Sequence, residues 1–150
     1  MTWDGAYAFV SLLCSCRSGH NHVLEVRTEG ASDREGAVWF YYARPSGVRL
    51  QEEEEYFASF KEVGPGLLQL EGVKNGLPSE YQGCGLTRTL IPHIAAHHTA
   101  RIRSSRHRPS EGETRSEAAT KVWESMVRRK LAYYDATEDR YYYPLQAGAA

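Results

Sequence analysis

Short apolar or alternating runs dominate the first half of the chain and predict strands. Residues 7–13 are β-prone and largely apolar, and residues 37–43 form a continuous aromatic run. Residues 22–27 alternate between apolar and polar side chains, and residues 67–73 do so in part. The runs 7–13 and 22–27 flank a turn at 17–19, which predicts a hairpin or two neighbouring strands. The polar stretch 27–35, which contains Gly30, predicts a loop.

An acidic run precedes a segment that we interpret as a short helix. Residues 51–60 would place Tyr56, Phe57 and Phe60 on one helix face, with the glutamates of 52–55 near the positive N-terminal pole. Four adjacent residues cannot share one helix face, so these glutamates indicate a solvated helix start rather than a site.

Helical spacing governs two segments of the second half. Leu86, Leu90 and Ile94 recur on one face and predict a helix, which Pro92 is expected to bend. The pattern Thr114-x-x-Glu117 has the form of a capping box and predicts the start of a second helix. Its apolar stripe consists of Ala119, Val122, Trp123, Met126 and Val127.

The remaining segments complete a mixed architecture. Residues 100–105 predict a strand, 106–113 a loop, 131–134 with 140–143 a hairpin, and 146–150 a frayed end. We therefore expect one α/β domain over 1–145, with a largely antiparallel, twisted sheet flanked by helices. A chain of 150 residues that is 41% hydrophobic is large enough to fill one core.

Charge and cysteine content exclude little but set the background. A formal net charge of −1 gives no global electrostatic signal for nucleic acid or a membrane surface. The apolar run 5–14 lacks the basic start of a secretory signal and is too short to cross a bilayer as a helix, so we expect a soluble, cytoplasmic protein without membrane contact. Three cysteines without disulfide-framework spacing fit a reducing compartment.

Four side chains of metal-ligating type lie within nine residues. They are Cys14, Cys16, His20 and His22, a set that zinc accepts, but their spacing differs from the usual zinc knuckle. We interpret them as core or surface residues of strands. His93 and His97 share a helix face and are interpreted as exposed helix histidines, so no metal site is predicted.

The junction between the strand at 67–73 and the helix from Leu86 carries the main functional hypothesis. Gly83 and Gly85 precede the helix, where glycines permit a sharp turn and the first helix amides have no internal partners. Such a junction suits an anion, and a phosphate or pyrophosphate is the natural ligand. A tight turn with a helix cap accounts for the same glycines without any ligand.

The sequence around these glycines resembles the coenzyme-A-binding motif of the GNAT acyltransferase superfamily. Pro78, Tyr81, Gln82, Gly83, Gly85 and Leu86 fall at corresponding places, and Glu80 stands where the motif prefers Arg or Gln. A strand, a helix containing Ala119, Val122 and Trp123, and a closing hairpin follow in the family's order, so the resemblance covers about residues 67–143. The first half, 1–66, departs from the family, which has one strand and then two helices there.

The resemblance implies a set of site residues for acetyl-coenzyme A or another acyl-coenzyme A. Glu71 would deprotonate an amine acceptor, and Tyr133, Tyr134, Ser104, Ser105 or water would replace the tyrosine that the family carries at the Trp123 position. The residues implied to bind the co-substrate are Leu70, Gly72 and Val73 along the strand and Gln82, Gly83, Cys84, Gly85, Leu86 and Thr87 in the loop. The acceptor, the oligomeric state and the other partners are not indicated.

Two other classes of function remain open. The second helix and hairpin also resemble a winged-helix DNA-binding domain, and Arg101, Arg103, Arg106, Arg108 and Arg115 would then line a phosphate path. The many tyrosines, with three in a row at 141–143, would suit a catalytically silent acyltransferase-like module that binds a partner.

Overall fold

The computed structural model of the chain describes residues 7–15, 19–33, 36–83 and 85–144. They form eight strands and two α-helices. The strands are β1 (Tyr7–Ser15), β2 (Asn21–Asp33), β3 (Gly36–Pro45), β4 (Tyr56–Gly64), β5 (Leu67–Asn75), β6 (Arg101–Arg103), β7 (Tyr133–Asp135) and β8 (Arg140–Tyr143). The helices are α1 (Leu86–His98) and α2 (Glu117–Arg128), and short 3₁₀ turns occur at Glu52–Glu54, Ser79–Tyr81 and Pro109–Glu111.

The fold is α+β, with one open, mostly antiparallel sheet in the order β1-β2-β3-β4-β5-β6-β8-β7. Pairs β1/β2, β2/β3, β6/β8 and β7/β8 are antiparallel, whereas β5 and β6 run parallel. The two-residue turn at Pro65 and Gly66, with φ +64° at Gly66, joins β4 to β5. A parallel pair needs a crossover, and α1 supplies the crossover between β5 and β6.

The chain divides into two compact units, and strands β4 and β5 contribute residues to both. The first unit comprises Met1–Phe60 and Gly72–Leu86. Its strands alternate between a buried and a more exposed face, as expected for a sheet with one core side. The core residues of this unit include Leu12, Cys14, Leu24, Val26, Tyr41, Ala43, Tyr56, Ala58 and Phe60.

The second unit comprises Lys61–Glu71 and Thr87–Ala150. Both helices place their apolar side chains in its core, as the helical spacing predicts. The core residues of this unit include Leu68, Leu70, Leu90, Ile91, Ile94, Ile102, Trp123 and Met126. Among the described residues, no helix is long and apolar enough to span a membrane.

Two expectations from the sequence are wrong. Residues 51–60 are a 3₁₀ turn followed by strand β4, because Tyr56, Ala58 and Phe60 are buried with the period of two that a strand requires. The stretch 27–35 is not a loop as far as it is described, because β2 continues to Asp33. Gly30 is accommodated in β2 because it pairs with Trp39 of β3, whose ring lies over the place a side chain would take.

The other predicted strands and both helices are confirmed, with one correction. Helix α2 is capped by Ser116, whose Oγ accepts a hydrogen bond from the Ala119 N–H at 3.0 Å, and not by Thr114. Helix α1 continues through Pro92 to His98. The turn at 17–19 and the end 146–150 lie wholly or largely outside the described residues.

Candidate functional site

The loop before α1 has the backbone conformation that its glycines permit. Gly83 and Gly85 have φ values of +69° and +64°, in the region that side chains disfavour. The Gln82 side chain donates to the Leu77 carbonyl at 2.6 Å and to Asn75 Oδ1 at 3.2 Å, which ties the loop to the end of β5. The first turn of α1 contains no acidic residue, so its positive pole is not opposed by a carboxylate from that turn.

Strand β5 extends well beyond its parallel partner. It pairs with β6 at Leu67–Arg101, Leu68–Ile102 and Gln69–Arg103, after which β6 ends while β5 continues to Asn75. Of the predicted co-substrate residues on this strand, Leu70 is buried, Gly72 is half-buried and Val73 is exposed. The predicted residues therefore begin where the parallel pairing stops.

Glu71, the predicted base, is exposed and is held by a neighbour on its own strand. Gln69 Nε2 donates to Glu71 Oε2 at 3.0 Å. Gln69 Oε1 accepts hydrogen bonds from Arg103 Nε at 2.8 Å and Arg140 Nη1 at 3.0 Å. Two guanidinium donors on Oε1 fix the orientation of the amide, so its N–H group must face Glu71.

An ion pair between buried Arg140 and half-buried Glu113 holds the guanidinium that donates to Gln69. Arg140 is only 6% exposed, donates to the Ser104 carbonyl at 2.9 Å and contacts both carboxylate oxygens of Glu113, at 3.0 and 3.2 Å. Burial alone would raise the pKa of Glu113, but the Arg106 N–H and the Arg140 guanidinium together hold it below its usual value. The paired form is therefore the charged one at neutral pH.

Sequence reasoning missed Gln69, Glu113 and Arg140. One signal was present for Gln69, a polar residue inside the apolar run 67–70 and two residues before Glu71, hence on the same side of the strand. No local signal connects it with Arg140, which is 71 residues away.

The predicted substitutes for a catalytic tyrosine have different surroundings. Ser104 is buried, donates to the Ser105 carbonyl and accepts from the Tyr141 N–H, both at 2.9 Å. Tyr133 is exposed and stacks on Tyr142, with ring centroids 5.4 Å apart. Tyr134 is exposed, and its hydroxyl donates to Asp139 at 2.8 Å, a bond that raises the pKa of Tyr134.

Trp123 occupies the position at which the resemblance expects a tyrosine. Its side chain is fully buried and stacks on Tyr141, with centroids 6.1 Å apart. The indole N–H has no hydrogen-bond partner among the residues that the structure describes. A buried polar group without a partner is unusual and unfavourable, and an indole can donate a hydrogen bond although it cannot transfer the proton.

Most of the arginines predicted to contact nucleic acid are engaged with acidic or polar side chains. Arg103 donates to Gln69, and Arg115 pairs with Asp139 at 3.1 Å. The other members pair as follows: Arg106 with Glu111 and Glu113, and Arg108 with Glu111. Arg101 is exposed, with its guanidinium 5.8 Å from the Tyr142 ring. These ion pairs reduce the positive charge available for phosphates.

The cysteine and histidine group lies at the β1/β2 pair. Buried Cys14 is the register partner of His22, whose ring contacts Tyr81 edge-on at 4.6 Å; Cys16 lies outside the described residues. Within the described ranges, no three His, Cys, Asp or Glu side chains are arranged to hold a metal ion.

Comparison with protein-family models, with curated proteins and with solved structures finds no match to this chain.

Proposed function

We propose that this protein is an acyl-coenzyme A-dependent N-acyltransferase that transfers an acyl group, most simply acetyl, to a primary amine. The junction between β5 and α1 supports this function most strongly. There β5 is followed by two glycines with positive φ, by a helix with no acidic residue in its first turn, and by a parallel strand. Backbone amides at such a helix start suit the pyrophosphate of a coenzyme.

The order of the elements also supports the resemblance to the GNAT superfamily. The elements of the second half follow the order that the resemblance implies: strand β5, the glycine loop, helix α1, strand β6, helix α2 and the hairpin β7/β8. The parallel pairing of β5 with β6 covers three residue pairs and then ends, which leaves the rest of β5 without β6 as a partner. The edge of β5 that β6 no longer covers suits the amide groups of a pantetheine arm.

A bound acyl-coenzyme A supplies an activated thioester whose carbonyl carbon an amine attacks as the carbon–sulfur bond breaks. The chain would contribute positioning, through the loop amides of Gln82–Thr87 and the backbone of Leu70–Val73. Glu71, oriented by Gln69, would take the amine proton. The departing thiolate would receive its proton from Tyr133, Tyr134 or water, since the Ser104 hydroxyl is used within the sheet.

The test is a calorimetric titration of the purified chain with acetyl-coenzyme A, with coenzyme A and ATP as comparisons. We expect saturable binding that is selective for the two coenzyme A compounds. Gly83→Glu should abolish this binding, because it places a negative charge where the pyrophosphate would lie. Gly47→Glu is the matched control, since Gly47 also has positive φ (+76°) and open space around it.

Binding alone does not establish transfer, so an acceptor screen read out by free-thiol release follows. Glu71→Gln should lower kcat by about 100-fold or more while leaving coenzyme A binding intact. A chain that binds acetyl-coenzyme A but releases thiol with none of the amines would be a silent acyltransferase-like module. Equal binding by wild type and folded Gly83→Glu would remove the loop from the proposal.

A further inference from the structure

A groove of about 330 Å³ opens on the first unit and is not used by the proposed acyl-coenzyme A site. Its lining residues come from three strands and the turn before β4: Tyr42, Glu53, Glu55, Phe57 and Lys74. This volume lies at the small end of the range for small-molecule sites, roughly 300–1,000 Å³. The groove therefore suits a ligand of amino-acid size.

Two aromatic rings of the groove are held in fixed orientations. Tyr42 and Phe57 are tilted against each other with centroids 5.4 Å apart, and Phe57 stacks on Phe40 at 5.8 Å. The Tyr42 hydroxyl donates to Glu29 at 3.1 Å, and the Arg27 guanidinium lies 4.9 Å from the Tyr42 centroid. Rings supported in this way form a preorganised surface for another aromatic ring.

The groove is lined by three charged side chains, of which Glu55 is paired with Arg27 and Glu53 and Lys74 are not paired with each other. Glu55 is buried and forms an ion pair with Arg27 at 3.2 Å, so its charge is balanced within the unit. Glu53 and Lys74 are exposed and of opposite sign. Among the described residues, neither is within ion-pair distance of an opposite charge, each other included. Two opposite charges are thus available beside the aromatic surface.

We propose that this groove binds an aromatic α-amino acid, with its ring against Tyr42 and Phe57, its ammonium group facing Glu53 and its carboxylate facing Lys74. A zwitterion with an aromatic ring complements all three features at once. An aromatic amine would leave Lys74 uncompensated, and an aromatic acid would leave Glu53 uncompensated. Binding in this groove does not depend on acyl transfer and does not rest on the proposed function.

The test compares four probes by calorimetric or NMR titration of the full chain without any coenzyme A compound. L-phenylalanine carries all three features, phenethylamine lacks the carboxylate, 3-phenylpropionate lacks the ammonium group, and L-alanine lacks the ring. We expect L-phenylalanine to bind most tightly, and each missing feature to weaken binding by about tenfold. Titration without coenzyme A means that a failure of the proposed function cannot be mistaken for a failure of the groove.

Two charge-removing variants should have different patterns across these probes. Glu53→Gln should weaken the binding of L-phenylalanine and of phenethylamine by about tenfold, and should leave the binding of 3-phenylpropionate unchanged or make it tighter. Lys74→Gln should weaken the binding of L-phenylalanine and of 3-phenylpropionate by a similar factor and leave the binding of phenethylamine unchanged. Glu117→Gln and Lys121→Gln remove the same charges from an exposed pair on α2 and should change none of the affinities.

Three results would overturn the proposal. The first is no binding of L-phenylalanine up to about 10 mM by the folded chain. The second is an equal loss of affinity for all the probes in both Glu53→Gln and Lys74→Gln, which would indicate a structural effect rather than recognition of two charges. The third is an equal response to the α2 control variants, which would make the interaction a nonspecific charge effect.

Discussion

Arg140 donates a hydrogen bond to the side-chain carbonyl of Gln69 at 3.0 Å across 71 residues of sequence. Arg103 donates to the same oxygen at 2.8 Å, and the amide nitrogen of Gln69 donates in turn to Glu71. Gln69 is only 6% exposed, so these bonds form largely away from water. The residue proposed as the base is thus linked to the closing hairpin through one amide group.

Gln69→Leu should destabilise the chain, because it leaves the donors of Arg103 and Arg140 without their shared acceptor. The expected loss in the free energy of unfolding is about 1–3 kcal/mol, measured by urea denaturation. Gln51→Leu makes the same change at an exposed position and should have little effect. Gln69→Glu keeps an acceptor for both arginines but places a carboxylate oxygen against Glu71. Its stability should therefore lie between those of wild type and Gln69→Leu, and acyl transfer should fall because Glu71 loses its donor. Equal stability of Gln69→Leu and Gln51→Leu would show that this network contributes nothing.

Asp139 should make folding sensitive to acid. It accepts hydrogen bonds from the His107 N–H at 3.0 Å, the Tyr134 hydroxyl at 2.8 Å and the Arg115 guanidinium at 3.1 Å. Burial acts in the opposite direction, but these donors together lower the pKa of Asp139 from 3.8 to about 2. A carboxyl whose pKa is depressed on folding stabilises the folded state fully above its unfolded pKa, and this contribution is lost as pH falls through the folded pKa.

Asp139→Asn should therefore be less stable than wild type at neutral pH and should lose less stability between about pH 4 and about pH 2. Urea denaturation over this pH range measures both effects. Glu117→Gln, in the exposed pair with Lys121, is the control and should follow the wild-type pH profile closely. A wild-type acid profile in Asp139→Asn would contradict the assignment of this pKa.

Several elements could be predicted from the sequence because one local pattern determines them. The spacing of Leu86, Leu90 and Ile94 predicted α1, and the aromatic run 37–43 predicted β3. The segment from Tyr56 to Phe60 was ambiguous, because Tyr56 and Phe60 fit both a helix face and a strand face. The small residue Ala58, buried between them, gave too weak a signal of alternation.

Other features depend on residues distant in sequence and could not be predicted. A glycine in a polar stretch indicates a break in a strand. At Gly30, however, Trp39 of the neighbouring strand covers the glycine and β2 continues. The candidate site divides in the same way. The glycine loop and Glu71 were visible as local patterns, whereas Gln69 obtains its role from Arg103 and Arg140, 34 and 71 residues away.

Arg27 and Glu55 form a buried ion pair. Replacing one member should destabilise the folded chain far more than replacing both. Burial lowers the pKa of Arg27, and the neighbouring carboxylate of Glu55 opposes that effect. Arg27→Leu leaves the Glu55 charge buried without this partner and should reduce the free energy of unfolding by about 3–5 kcal/mol. Arg27→Leu combined with Glu55→Leu should recover most of that loss, because no buried charge remains.

A double-mutant cycle by chemical denaturation tests this expectation, with Arg44→Leu as the control for a half-buried, more distant pair with Glu25 at 3.9 Å. The control should change stability by less than about 1 kcal/mol. Additive effects of Arg27→Leu and Glu55→Leu would mean that the two charges do not interact.

Replacement by alanine should destabilise the folded chain at Gly76 but not at Gly64. A Cβ atom at Gly76 would clash with the Glu53 carbonyl oxygen and lie 3.2 Å from the Glu55 carbonyl oxygen. These are backbone atoms, and the Gly76 N–H donates to the same Glu55 carbonyl at 3.2 Å, so the turn cannot yield without losing that bond. Gly76→Ala should therefore reduce the free energy of unfolding by about 1–3 kcal/mol. It should also weaken ligand binding in the groove, because Glu53 is displaced.

Gly64 lies in β4 with nothing within 4 Å of the place that a Cβ atom would take, so Gly64→Ala should be neutral or should stabilise the folded chain by about 0.4–1 kcal/mol, by reducing the conformational freedom of the unfolded chain. Equal effects of the two substitutions in urea denaturation would show that the close approach of Gly76 to the Glu53 backbone does not constrain this turn.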